Sequence, residues 1–156
     1  MILIIGEMTI RERWENVRGR IRQAAVKAGR DPDEIVLVAV SKGFGHETVD
    51  EACRSGMTCF GENKVQEARQ KMPLCSGSIE WHMIGHIQSN KVRDVVRMFS
   101  MAHSVDSFEL LTKMDEEAGA AGKIMPVCLQ VNVSGERAIS GGSEGFAKTV
   151  QREKCR

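Results

Sequence analysis

Two rhythms of apolar residues alternate along the chain. The first long stretch opens with Thr9-Ile10-Arg11-Glu12, the T-x-x-E form in which side chain and backbone cap each other at a helix start. Ile10, Trp14, Val17, Ile21, Ala24, Ala25 and Ala28 follow at steps of three and four, one stripe of a helix. Gly29 offers a helix stop, and Asp31-Pro32 marks a turn. The rhythm then changes. Ile35-Val36-Leu37-Val38-Ala39-Val40 is an unbroken, β-branched run, which predicts a strand buried on both faces, as in parallel sheets. A helical stretch from about Glu47 to Arg54 comes next, with Val49, Ala52 and Cys53 inward and Gly56 as its stop.

The same unit recurs. Thr58-Cys59-Phe60 predicts a short strand, and Val65, Ala68 and Met72 a helix ended by Pro73. Ile79 to Ile84 predicts a strand before a helix marked by Val92, Val95, Val96 and Phe99. Met101 to Val105 predicts another, before a helix through Leu110, Leu111, Met114 and Ala118 that stops near Gly122. Met125 to Val131 predicts a fifth strand, then comes the Gly-rich Ser140-Gly141-Gly142, and Ser143 is placed to cap a last short helix. Strand starts near 35, 58, 79, 101 and 125 are about 21 to 24 residues apart, with a helix in each gap. Strands alternating with helices mean an α/β fold on a parallel sheet, either an open doubly wound sheet or part of a (β/α)₈ barrel. The short, even repeat favours the barrel. The expected fold is a partial (β/α)₈ TIM-type barrel of about five parallel strands, preceded by an N-terminal helix. Barrels typically need about 250 residues, so a chain of 156 is an incomplete one. Residues 1–7 read as an extension, and 8–156 as the incomplete barrel domain.

Charge and composition narrow the function. Lys plus Arg is 22 and Asp plus Glu 21, a net +1 that gives no support to a general nucleic-acid binder. Five cysteines, an odd count with no C-x-x-C, argue for free thiols in a reducing cytosol. Cys53, Cys59 and Cys128 sit on apolar faces and read as small buried hydrophobes, while Cys155 lies in a charged tail. The apolar start, Met1 to Ile5, is too short for a signal peptide or a membrane span. The expected location is the cytoplasm, with no membrane partner.

Candidate chemistry gathers at the C-terminal ends of the strands, where parallel α/β folds place their sites. Ser41 and Lys42 follow the first strand, and Gly61, Glu62 and Asn63 end the second. The third carries Trp81 and His82, then Gly85 and His86; the fourth ends in His103, Ser104, Val105 and Asp106; the fifth in Gln130, Val131 and Asn132. These ends suit a small-molecule pocket. Lys42 closes a fully apolar strand, where partial desolvation would free its amine as a nucleophile; position alone favours a solvated cation, the usual state of a lysine. His82 and His86 are four apart but span a strand end and a Gly turn without an H-E-x-x-H pattern, so no metal site is expected.

Taken in order, the strand-end motifs resemble one family. They are Val38-Ala39-Val40-Ser41-Lys42, Phe60-Gly61-Glu62-Asn63 with Val65-Gln66-Glu67, and Trp81-His82-Met83-Ile84-Gly85-His86-Ile87-Gln88-Ser89-Asn90-Lys91. His103-Ser104-Val105-Asp106-Ser107 and Leu129-Gln130-Val131-Asn132 with Gly135-Glu136 complete the set. Over roughly Met8 to Glu136 the chain resembles the pyridoxal-phosphate homeostasis protein family, which has the alanine-racemase-type barrel. The resemblance implies pyridoxal 5'-phosphate as cofactor. It matches Lys42 to the family lysine that forms the internal aldimine, and Asn63, His82 and Ser104 to positions around the cofactor ring. It implies a role in vitamin B6 and amino-acid balance without an established catalytic reaction, and so no catalytic residue is assigned.

Two departures qualify the resemblance. Family chains continue through further strands, whose late segments grip the phosphate; this sequence stops before them and reads as C-terminally truncated. Arg137-Ala138-Ile139-Ser140 also stands where the family usually has Lys-Gly. A nonfunctional or self-associating fragment, pairing through open sheet edges, is therefore the alternative. An amino-acid racemase is disfavoured, because related racemases use a tyrosine as second base and this chain has no Tyr.

Overall fold

The computed structural model describes residues 8–132. The expected extension over residues 1–7, the Gly-rich loop at Ser140, the helix after Ser143 and Cys155 lie outside the described residues. Helix α1 runs Ile10–Lys27 and carries the expected capping box: Glu12 N–H donates to Thr9 Oγ1, and the Glu12 carboxylate accepts from Thr9 N–H at 2.7 Å. Four βα units and a fifth strand follow among the described residues, as β1 (Ala39–Val40), α2 (His46–Arg54), β2 (Cys59–Glu62), α3 (Val65–Lys71), β3 (Glu80–Met83), α4 (Val92–Met98), β4 (Met101–Val105), α5 (Phe108–Ala120) and β5 (Val127–Leu129).

Strand order separates the two architectures. The sheet runs β1-β2-β3-β4-β5, and every neighbouring pair is parallel. A doubly wound sheet reverses direction at a switch point; here each unit adds to the same side as the last, as barrel strands do. The register joins Ala39 to Phe60 to Trp81, and Val40 to Gly61 to His82 to Met101. Alternate side chains point to opposite faces. Phe60, Trp81, Met83 and Ala102 therefore face outward, onto Val49, Val65, Ala68, Val92, Val95, Phe99, Leu110 and Met114 from the helices. Phe60 and Trp81 meet as tilted rings with centroids 5.7 Å apart. Lys123 closes this layer, its Nζ donating to the carbonyls of Val96 at 2.8 Å and Phe99 at 2.6 Å at the end of α4.

Three expectations need correction. The six-residue run Ile35–Val40 yields only the two-residue β1. Extending its register backwards sets Ile35, Val36 and Leu37 against Gly56, Met57 and Thr58, the turn out of α2, where there is no strand to pair with. Nor is that run buried on both faces: Val36 is 66% and Val40 50% exposed, because among the described residues β1 pairs on one side only. Cys128 is exposed rather than buried, since among the described residues β5 likewise pairs on one side only and the face carrying Cys128 points away from the helices. The α1 stripe is only partly covered, with Ala25 its one buried residue. No helix among the described residues is long and apolar enough to cross a membrane.

Candidate functional site at the strand ends

The site begins with a turn. Phe44 N–H donates to Ser41 C=O at 3.1 Å, closing a four-residue turn over Ser41-Lys42-Gly43-Phe44. Gly43 stands third in it with φ +78°, the left-handed region a type II turn requires there. Lys42 is the second residue and is exposed. The desolvated setting that its apolar strand suggested is thus absent from the described residues. Its place on the rim comes instead from Ser41.

Ser41 is held at every polar atom. Its N–H donates to Gly61 C=O at 3.1 Å, continuing the β1–β2 ladder. Its hydroxyl donates to Glu62 Oε1 at 2.6 Å, and its carbonyl accepts from Lys71 Nζ at 2.8 Å as well as from Phe44. Lys71 Nζ also lies 2.6 Å from Glu62 Oε1. Glu62 has no exposed surface and Lys71 has 8%, so this is a buried ion pair with a shared hydroxyl. The second carboxylate oxygen, Glu62 Oε2, is buried with no hydrogen-bond partner. An uncompensated charge here would be costly to bury; Lys71 supplies the compensation and, through the Ser41 carbonyl, anchors the residue next to Lys42.

Asn63 stands two residues beyond Gly61, as Lys42 stands two beyond Val40, so the paired strands present both on the same level. Its backbone is pressed by Gly85, where a Cβ would lie 2.7 Å from Asn63 Cα; only glycine permits that approach. Ser104 Oγ donates to the Gly85 carbonyl. The chain Ser104–Gly85–Asn63 thus ties together the ends of β2, β3 and β4. A cleft of about 370 Å³ opens beside Asn63, lined also by Gln66, His86, Gln88 and Lys91. His86 is exposed with its Nδ1 3.4 Å from Asp106 Oδ2.

His82 lies one layer deeper and is buried. Its Nδ1 is 3.0 Å from His103 Nε2, and its Nε2 is 3.2 Å from Glu80 Oε1 and 3.6 Å from Cys59 Sγ. His82 and His86 therefore point to different partners. The candidate residues divide into Lys42 and Asn63 on the rim, Ser104 supporting it, and His82 in the layer below. Sequence reasoning missed Lys71 and the role of Glu62. The available signal was the spacing Val65, Ala68, Lys71, which puts a lysine on the inward stripe of α3.

Residues 11–139 match the family model described as alanine racemase, N-terminal domain. The chain belongs to this family. It is 46% identical over 134 residues to the pyridoxal phosphate homeostasis protein of Pseudomonas aeruginosa, covering 85% of this chain and 58% of that one. It is 39% identical over 129 residues to the protein of the same name in Escherichia coli K12, covering 80% and 55%. The chain thus spans a little over half the length of these curated relatives. The solved structure of PipY from Synechococcus elongatus PCC7942, with PLP bound, superposes with a TM-score of 0.75 at 32% identity, over 94% of this chain and 64% of that one. Alanine racemase from E. faecalis, at 18% identity and TM-score 0.60, covers 87% of this chain and 38% of its own, and shares the fold.

Two expectations follow from the buried groups. Lys71→Met leaves Glu62 uncompensated and is expected to cost about 3–5 kcal/mol in urea unfolding, most of it recovered by adding Glu62→Gln. Burial, and then the neighbouring His82, hold the His103 imidazole below its usual 6.5. The unfolded chain therefore takes up this proton before the folded one does, so stability holds above about pH 6.5 and falls as pH drops below it. Thermal unfolding followed from about pH 7.5 to pH 5 is expected to show that decline, and His103→Gln to flatten it.

Proposed function

We propose that this chain binds pyridoxal 5'-phosphate, held covalently by Lys42, and serves vitamin B6 and amino-acid homeostasis in the cytoplasm. The observation that carries the reading is the Lys42 turn: an exposed primary amine on a strand end whose preceding residue is immobilised by a buried ion pair. Similarity to proteins named for pyridoxal phosphate homeostasis, and to PipY with PLP bound, supports it. The chemistry that the cofactor supplies when bound is an electrophilic aldehyde on an electron-withdrawing ring. An amine and a polar rim at one level fit the aldehyde and ring.

The chain's own groups then divide the work. Lys42 Nζ, unprotonated, is the nucleophile toward the aldehyde carbon. Glu62 and Lys71 fix Ser41 and so the origin of the Lys42 side chain. Asn63 offers an amide at the same level for hydrogen bonding to the ring substituents. Ser104 spends its hydroxyl on the Gly85 carbonyl, so its contribution is to keep Asn63 in place. His82 has both ring nitrogens engaged below the rim and supports the floor of the site. Adding pyridoxal phosphate to the chain is expected to produce a new near-visible absorbance band that borohydride reduction fixes on Lys42 and Lys42→Ala abolishes. No band with the folded chain sinks the reading.

A second reading, self-association, rests on the sheet edges. Among the described residues β1 and β5 each pair on one side, and Val36 and Val40 are exposed beside them. Sedimentation velocity is expected to show concentration-dependent association; a stable monomer at all concentrations argues against it.

A further inference from the structure

The inner face of the sheet carries a second cluster, at the opposite end from Lys42. Cys59 and Glu80 begin β2 and β3 as direct partners in the register, and His82 follows two residues after Glu80 on the same face. One ligand atom from each of Cys59, Glu80 and His82 lies within 4.8 Å of the others. Cys59 Sγ is 3.6 Å and Glu80 Oε1 3.2 Å from His82 Nε2. Around a tetrahedral zinc ion, with Zn–S about 2.3 Å and Zn–N or Zn–O about 2.0–2.2 Å, such atoms stand about 3.3–3.6 Å apart. We propose that Cys59, Glu80 and His82 form a three-ligand site for a thiolate-accepting divalent cation of the zinc class.

Three features carry the proposal beyond the distances. His82 Nδ1 faces His103 Nε2 at 3.0 Å, so His103 can accept the Nδ1 proton and leave Nε2 bare for the metal. Ligating histidines are commonly oriented in this way by an acceptor behind them. A cavity of about 620 Å³, between α1 and the starts of the strands, is lined by both Cys59 and Glu80 and gives a cation a path in. Glu80 is 57% exposed at its side chain, so the fourth position of a tetrahedral ion remains open to water.

The proton balance is simple. An ordinary cysteine thiol is mostly protonated at neutral pH. Binding forms the metal–sulfur bond and releases that proton to solvent, while displacing water from the aqua ion. No electron moves. The carboxylate that disfavours a bare thiolate becomes, with the cation between them, a fellow ligand.

Cobalt(II) titrated into the tag-free, chelator-treated full chain tests this. Expected is a sulfur-to-cobalt charge-transfer band with strong visible ligand-field bands, saturating at one ion per chain. Cys59→Ser is expected to abolish the charge-transfer band and Glu80→Gln to weaken binding about tenfold or more. Cys128→Ser, on the same sheet but in β5, is expected to keep the band. Zinc(II) should bleach the cobalt spectrum, and should raise the melting temperature of the wild-type chain but not of Cys59→Ser. A folded wild-type chain without the charge-transfer band, or a band that survives Cys59→Ser, overturns the proposal. The three side chains are then a hydrogen-bonding cluster only.

Discussion

A carboxylate with no exposed surface terminates β2, and the arrangement of the rim depends on how it is neutralised. Glu62 cannot be solvated, so it must be paired. Lys71 reaches it from α3, and the Ser41 hydroxyl reaches it from the end of β1. One oxygen atom thus joins two strands and a helix. Because Lys71 also donates to the Ser41 carbonyl, the ion pair is coupled to the backbone that leads into Lys42. A hydrophobic pair of the same volume would pack as well, but would leave the Ser41 hydroxyl and carbonyl without these partners. Position, more than stability, is what the buried charges contribute.

The sheet divides the molecule into two chemistries. Its outer face meets four helices through Val, Ala, Met, Phe and Trp side chains, and that layer holds the fold together. Its inner face carries Cys59, Glu80, His82 and His103, linked by hydrogen-bond contacts, while Lys42 and Asn63 stand at the C-terminal ends of β1 and β2. Lys42 and the start of this cluster, Cys59 and Glu80, lie at opposite ends of the strands. The chain spans a little over half of the relatives it matches, and among the described residues β1 and β5 each pair on one side.

Much of this was legible from residue order. The helices were marked by steps of three and four, and the strands by runs too short and too β-branched for helices. Met101 to Val105 is observed as a strand over those five residues. The positions of Lys42 and Asn63 at neighbouring strand ends are legible because the strands and their lengths are. The failures share one cause. Ile35–Leu37, Val40 and Cys128 were read by their own hydrophobicity, but burial depends on what lies across from a residue. Their environment is set by strand neighbours and by register, which no local pattern contains.

The sequence by itself determined the alternation of strands and helices and the family resemblance. These rest on local periodicity and on motif order, both written along one dimension. Only the tertiary structure decided that the strands add in sequential order, that Lys42 is exposed on a clamped turn, and that Cys59, Glu80 and His82 converge. Each of those depends on register between strands about 21 residues apart. A shift of one residue would turn Glu62 inward, away from Lys71, and turn His82 onto the helices.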